Sequence, residues 1–204
     1  LLRGAARVSD TARRLAVVTG ASSGIGKALA RALARRGEAV LAVARRAERL
    51  DALAAEALAD GHAPIHTLAL DLGADGAAPA LAAAARRLGV PALLVNNAGF
   101  GAYGPFEAAD PARLAAMVRL NCEALLLCTH ALLPDLKAAG GAAVLNVASA
   151  AAFQPTPYMA AYGATKAFVL SFTEALDEEL RGSGVRALAF CPGPVSTEDR
   201  KSVV

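Results

Sequence analysis

Short apolar runs alternate along the chain with longer stretches in which apolar residues recur at helical spacing. The short runs are nearly continuous hydrophobic segments, which is typical of strands covered on both faces. They predict strands at residues 15–19, 39–44, 65–70, 92–96, 143–147 and 186–190. The longer stretches predict helices at residues 24–36, 47–60, 75–88, 111–137 and 157–181.

This alternation predicts one α/β domain, because strands separated by helices join in parallel through right-handed crossovers. The sheet should be parallel and doubly wound, with helices on both faces, over residues 14–198. Residues 1–13 are interpreted as an N-terminal extension. Residues 199–204 are interpreted as a candidate non-native tail, and the alternative is a genuine charged end.

Composition favours close packing of helices on that sheet. Hydrophobic residues make up 55% of the 204 residues, many of them alanine, while aromatic residues make up only 4% and tryptophan is absent. The net charge of +3 comes from scattered arginines rather than a basic arm. A nucleic-acid partner is therefore not expected.

Cysteine and histidine residues lack the spacing of metal ligands. They are Cys122, Cys128, Cys191, His62, His66 and His130. We predict no metal site and free thiols in a reducing cytoplasm. The longest apolar stretch, residues 120–134, is short and interrupted by polar residues, so no membrane span is expected. No secretory signal is recognised at the start, so export is not expected.

A glycine-rich turn follows the first predicted strand and opens the first helix. Gly20 permits a sharp turn, Gly24 allows a close backbone approach to a pyrophosphate, and Gly26 allows tight helix–strand packing. The free N–H groups of the following helix favour an anion. A P-loop is rejected, because Ala21 stands where that motif needs glycine and Ala28 where it needs serine or threonine.

Two arginines follow the second predicted strand, where an NAD-binding site would carry an acid. A guanidinium there can bind a 2′-phosphate, so NADP(H) is predicted in preference to NAD(H). Arg45, directly after the strand, is the first choice and Arg46 the second. The alternative is a solvated pair matched to Glu48 or Glu56.

Tyr162 and Lys166 are four residues apart, so they share one face of the predicted helix. A phenol titrates near 10, but an ammonium about 5 Å away favours the phenolate by roughly 3 kcal/mol. Tyr162 can then exchange a proton with an alcohol or ketone. Ser149 follows a strand end and could stabilise charge on the same oxygen.

Together these motifs resemble the short-chain dehydrogenase/reductase family, whose fold is Rossmann-like. The resemblance runs from about residue 14 to 197. It is carried by the residues 19–26, Asn96-Asn97-Ala98-Gly99, Ser149, Tyr162-x-x-x-Lys166 and Pro192-Gly193. It implies hydride transfer between a carbonyl and an alcohol, with Tyr162 as general acid/base, and a homodimer or homotetramer formed through the helices at 111–137 and 157–181.

The resemblance also implies further site residues. Asp71 would bind the adenine ring, Asn121 would anchor a water that relays protons to Lys166, and Lys166 would also bind the nicotinamide ribose. On their own, Asp71 could simply form a turn and Asn121 could be a buried polar group with a partner. The remaining cofactor contacts implied are Ser22, Ser23, Ile25, Asn97, Ala98, Gly99, Pro192, Gly193, Val195 and Thr197.

Family members usually continue with a lid, a helix and a seventh strand, which this sequence lacks. We therefore expect an uncovered sheet edge, poor stability and weak activity of the chain as written.

The substrate is predicted only as a ketone or aldehyde with an apolar body, for example a 3-oxoacyl thioester. Phe100, Phe153, Tyr158 and Met159 could line its pocket or belong to the core or an interface, and Gln154 could be a polar contact. Two rival functions stay open, a non-catalytic dinucleotide-sensing module and a structural subunit.

Overall fold

A computed structural model describes residues 14–193 of the chain. Six parallel strands form one sheet in the order β3-β2-β1-β4-β5-β6. The strands are β1 (Arg14–Thr19), β2 (Ala39–Ala44), β3 (Ile65–Ala69), β4 (Val90–Asn96), β5 (Ala142–Val147) and β6 (Val185–Phe190). This order confirms the predicted doubly wound sheet, since the chain reverses direction across it at β1 and β4.

Helices cover both faces of the sheet. They are α1 (Gly24–Arg35), α2 (Ala47–Ala59), α3 (Ala77–Leu88), α4 (Pro111–Val118), α5 (Ala124–Ala139) and α6 (Ala160–Glu179). Apolar residues of α1 and α2 pack on one face, and those of α3, α5 and α6 on the other. Alanines at many of the buried positions bring the helix backbones close to the strands, as the composition predicts.

A chain of buried polar side chains ties β4 and β5 to the helices above them. Asn96 donates to Asn146 Oδ1 and to Thr129 Oγ1, both at 2.9 Å. Asn146 in turn donates to Thr173 Oγ1 at 2.9 Å. Because Thr129 lies on α5 and Thr173 on α6, these amides fix both helices against the sheet.

Two helix predictions need correction. The predicted helix at 111–137 contains a π-helical turn, Arg119–Glu123, between α4 and α5. The predicted helix at 157–181 begins only at Ala160, because Tyr158 has a φ of 63°, which is incompatible with a right-handed helix.

The run Pro111–Ala139 is the one stretch, among residues 14–193, long and apolar enough to cross a membrane by length and composition. It is longer than the apolar stretch at residues 120–134 that the sequence indicates. Its inner face, with Leu132 and Leu136 fully buried, packs on the sheet. The core helices of globular domains pass the same test of length and composition.

Candidate active site

The glycine-rich turn is built against the end of β4. Thr19 Oγ1 accepts hydrogen bonds from the backbone N–H groups of Asn97 and Ala98, at 2.9 and 3.0 Å. Asn97 Nδ2 donates to the carbonyl oxygens of Thr19 and Gly20. The ends of the two central strands are thereby held side by side, at the point where open α/β sheets bind ligands.

Gly26 leaves no room for a side chain in this turn. A Cβ atom placed on it would lie 2.4 Å from both the Gly20 carbonyl oxygen and Asn97 Nδ2. Gly20 and Gly24 have φ values of 66° and 53°, which favour glycine. The turn leads into α1, whose first turn contains no acidic residue. This arrangement fits a bound pyrophosphate.

Arg46, rather than Arg45, lies over the turn. Its guanidinium donates to Ser22 Oγ at 2.9 and 3.2 Å and to Ser23 Oγ at 3.0 Å. Arg45 is exposed at the surface. The sequence places Arg45 first because it follows the strand directly, but it is the next residue, at the start of α2, that turns back towards the loop.

Lys166 is buried at the carboxyl end of β5, with a relative exposure of 7%. Its Nζ donates to the Val147 carbonyl oxygen at 2.8 Å and lies 5.8 Å from the centroid of the Tyr162 ring. Burial lowers its pKa from 10.5 to about 8, although the nearby thiols of Cys122 and Cys191 act in the opposite direction. The helical spacing of Tyr162 and Lys166 thus places an ammonium group beside the phenol ring.

Tyr162 and Ser149 both stand at the carboxyl ends of the strands. The Tyr162 ring packs on the segment after β4, because a Cβ atom on Gly101 would lie 3.3 Å from its Cδ2. Ser149 Oγ accepts a hydrogen bond from the N–H of Ala151 at 3.2 Å. This bond uses an acceptor position of the hydroxyl and leaves its proton available for donation.

Asn121 lies inside the π-helical turn and is 2% exposed. Its Oδ1 accepts from the N–H of Phe100, and its Nδ2 donates to the Phe100 carbonyl and to Thr165 Oγ1 at 3.0 and 3.1 Å. The side chain therefore joins the segment after β4 to α6, directly beside Lys166. The sequence analysis assigns no role to Thr165, and its position next to Lys166 in the motif is the signal that points to it.

Five further predicted contacts lie outside the glycine turn and the segment directly after β4. Asp71 is exposed and accepts from the N–H of Gly73 at 3.0 Å, which is the turn-forming alternative. The Pro192 carbonyl accepts from the N–H of Ala150 at 2.9 Å, so this end of the chain meets the Ser149 segment, with Gly193 next to it. Val195 and Thr197 lie outside the described residues.

The four apolar residues predicted for a pocket separate in the structure. Tyr158 and Met159 line a cavity of about 590 Å³. Phe100 instead packs under the guanidinium of Arg113. Phe153 is 68% exposed and Gln154 is exposed, and neither lines that cavity. Within residues 14–193, no group of three or more acidic, histidine or cysteine side chains could hold a metal ion.

A glycine turn at the switch point of a parallel sheet, with a lysine and a tyrosine at the neighbouring strand ends, defines a dinucleotide-binding oxidoreductase fold. The sequence model for the short chain dehydrogenase family matches residues 14–204, and the chain belongs to this family.

Relatives and solved structures agree with this assignment. The chain is 39% identical over 190 residues to sulfoacetaldehyde reductase 2 of Chromohalobacter salexigens, covering 90% of this chain and 73% of that protein. It is 38% identical over 188 residues to a short chain dehydrogenase of Pseudocercospora fijiensis, covering 91% of this chain but only 60% of that protein. A solved short-chain dehydrogenase from Sphingobium yanoikuyae, in complex with NADPH, superposes with a TM-score of 0.87 at 34% identity, covering 94% of this chain and 75% of that one.

Proposed function

We propose that this chain carries the catalytic site of an NADP(H)-dependent oxidoreductase that interconverts a carbonyl and an alcohol. The observation that carries the proposal is the buried ammonium of Lys166, 5.8 Å from the centre of the Tyr162 ring. Burying a cation lowers the free energy of unfolding, because the charge loses its hydration. Buried titratable groups in a cleft are therefore candidates for chemistry.

Tyr162 is the general acid/base in this proposal. The Lys166 ammonium beside the ring stabilises negative charge as it develops on the Tyr162 oxygen, and the Tyr162 hydroxyl gives its proton to a carbonyl oxygen or takes one from an alcohol. Ser149 donates its hydroxyl proton to the same substrate oxygen, since its Oγ already accepts from the backbone. That donation stabilises negative charge developing on the oxygen.

NADP(H) is the proposed cofactor. Gly20 and Gly26 allow the tight turn that packs on Asn97, and Gly24 lets the backbone approach the pyrophosphate. Arg46 with Ser22 and Ser23 forms a polar site for the 2′-phosphate. Arg45, the preceding residue, would add a second positive charge near this 2′-phosphate site. When bound, this cofactor supplies the hydride that the carbonyl carbon receives. The NADPH in the Sphingobium yanoikuyae structure supports the choice.

The remaining roles follow the same proposal. Lys166 would bind the nicotinamide ribose, and Asp71, Asn97, Ala98, Gly99, Ile25, Pro192 and Gly193 would line the rest of the cofactor site. Both donor hydrogens of the Asn121 amide are occupied within the chain. A relay water would therefore be held by an acceptor atom of Asn121 rather than by its amide donors.

We also infer self-association through α5 and α6. Leu127 on α5 and Phe168 on α6 are 50% and 39% exposed, and large exposed apolar residues on adjacent helices favour an isologous interface. Light scattering coupled to size exclusion tests this inference, and a monomer at micromolar concentration would contradict it.

The decisive experiment for the activity compares wild type with Tyr162→Phe. We expect NADPH-dependent carbonyl reduction by the wild type and a loss of about a hundredfold or more in the variant, with NADPH binding retained. Ser171→Ala removes an exposed hydroxyl from the same helix and should leave the rate unchanged. Wild-type binding of NADPH without turnover of any carbonyl would favour the dinucleotide-sensing alternative instead.

A further inference from the structure

A cavity of about 590 Å³ lies between the segment 102–114 and the segment 157–161, which includes the start of α6. Its walls are mostly apolar, with side chains from both segments. They include Tyr103, Phe106, Leu114, Tyr158 and Met159. The volume is within the range of small-molecule sites in proteins.

The two walls are joined to each other. The N–H of Gly104 donates to the Tyr158 carbonyl oxygen at 2.9 Å, and the rings of Tyr103 and Tyr158 lie with their centroids 6.0 Å apart. Tyr158 has a φ of 63°, a conformation that is unfavourable for an aromatic residue and is often found at ligand sites. The cavity therefore has a defined shape rather than being a gap between independent loops.

The proposed catalytic group does not itself line this cavity, but residues next to it in the chain do. Ala161, directly before Tyr162, and Ala102, directly after Gly101, both line it. Gly101 itself packs on the Tyr162 ring. A molecule whose carbonyl reaches Tyr162 can therefore place the rest of its body in the cavity.

Two charged residues, Asp110 and Arg113, line the cavity, and they differ in their contacts within the protein. Asp110 Oδ1 accepts from the N–H of Ala112 at 3.0 Å and caps α4, so part of its charge is neutralised by the helix N-terminus. The Arg113 guanidinium lies 5.7 Å from the centroid of the Phe100 ring, and it forms no salt bridge with any residue in the range 14–193. Arg113, which is exposed, is thus the cation that lines this wall.

We propose that this cavity binds the body of the substrate and that Arg113 binds an acidic group on it, so that the substrate is an anionic carbonyl compound. A guanidinium supplies paired N–H donors that match the two oxygens of a carboxylate or a sulfonate. This inference rests on the proposed function for the position of the carbonyl, but the binding of the anion can be measured without any turnover.

The binding experiment uses the fluorescence of the protein itself. The chain has no tryptophan and three tyrosines, and these are Tyr103, Tyr158 and Tyr162, so the whole signal arises at this site. Levulinate, its homologues lengthened by two and four methylene groups, and the amide of each acid are titrated separately into the protein. The affinity of each acid is then compared with that of its amide. We expect at least one acid to bind about fivefold more tightly than its amide, as for a partly exposed charge pair.

Variants assign the preference to Arg113. Arg113→Gln should remove the difference between acid and amide, and Arg119→Gln, which removes an exposed arginine paired with Glu123, should retain it. Ala109→Leu fills the cavity and should weaken both ligands, whereas Ala112→Leu on the exposed side of α4 should weaken neither.

The outcomes separate the two proposals. Equal affinity for every acid and amide, no binding of either, or a preference that survives in Arg113→Gln overturns the anion site. Preferential acid binding by a wild type that reduces none of these ketones with NADPH supports the anion site and contradicts the proposed activity. Turnover of these ketones with no preference between acid and amide supports the proposed activity and contradicts the anion site.

Discussion

Lys166 Nζ donates to the carbonyl oxygen of Val147 at 2.8 Å, so a charged group of α6 is held inside the protein at the end of β5. The hydrogen bond fixes the position of the ammonium but compensates little of its lost hydration. The lowered pKa of Lys166 expresses this cost.

Replacement of Lys166 by methionine should therefore stabilise the fold while abolishing turnover. The fall of its pKa from 10.5 to about 8 corresponds to about 3 kcal/mol, and the lost hydrogen bond offsets about 1 kcal/mol of this. At pH 7 we expect the free energy of unfolding of Lys166→Met to exceed that of wild type by about 2 kcal/mol, measured by urea denaturation.

The pH dependence gives the sharper test. Between pH 8 and 10.5 the unfolded chain binds more protons at Lys166 than the folded chain, so wild-type stability rises with pH and the advantage of Lys166→Met shrinks. Lys137→Met, at an exposed lysine of α5, should differ from wild type by a constant amount. A constant difference for Lys166→Met as well would mean that Lys166 titrates normally.

Arg46→Ala should weaken NADPH binding about tenfold to a hundredfold, because charge-assisted hydrogen bonds to a phosphate would be lost. NADH binding should change little. Arg45→Ala, at the exposed neighbouring position, is the matched control and should have a smaller effect. Equilibrium titration of both cofactors measures this, and a larger loss in Arg45→Ala would restore the order expected from the sequence.

Gly26→Ala should disrupt the glycine turn. The added Cβ would lie 2.4 Å from the Gly20 carbonyl oxygen, so the backbone must shift, at a cost of about 1 to 3 kcal/mol in unfolding free energy. NADPH binding should be lost with it. Gly163→Ala is the control, since its Cβ would find no atom closer than 3.6 Å and alanine favours a helix. Unchanged NADPH affinity in Gly26→Ala would show that the turn tolerates a side chain.

Asn96 and Asn146 should behave as one unit. Each alanine substitution leaves buried partners unsatisfied and should lower the unfolding free energy by about 2 to 3 kcal/mol. The double variant should lose at least about 1 kcal/mol less than the sum of the single losses. Asn146→Ala combined with Thr67→Ala, whose hydroxyl meets Asp51 at the exposed β3 edge, should be additive. Additivity in the asparagine pair would mean that the two amides act independently.

The sequence predicts the strands and the motifs because each depends on residues close together in the chain, and it predicts the parallel sheet because strands separated by helices join through right-handed crossovers. The glycine turn and the Tyr162–Lys166 spacing are local in this sense. The position of Arg46 over Ser22 depends instead on how the chain turns between β2 and α2, which the sequence pattern does not specify. Among residues 14–193, β6 is the last strand of the sheet, and its Leu188 and Phe190 are 48% and 44% exposed.

The π-helical turn was missed for a related reason. A continuous apolar period over 111–137 predicts an uninterrupted helix, and only the tertiary contacts of Asn121 with Phe100 and Thr165 favour the inserted turn. The cavity was likewise only half predicted. Tyr158 and Met159 flank the catalytic motif and are predicted from the sequence, but Arg113 belongs to a helix whose orientation towards residues 157–161 comes from the fold.

The buried amides of Asn96 and Asn146 fix α5 and α6 on the sheet. Proton transfer and ligand selection are thereby assigned to different parts of the molecule. Under the proposed function, the groups that move protons stand on the part of the molecule held by Asn96 and Asn146. The ligand is then selected by the stretches at 102–114 and 157–161, which include Arg113 in the first turn of α4. Grafting those two stretches between members of the family should therefore transfer ligand choice without rebuilding the machinery beneath it.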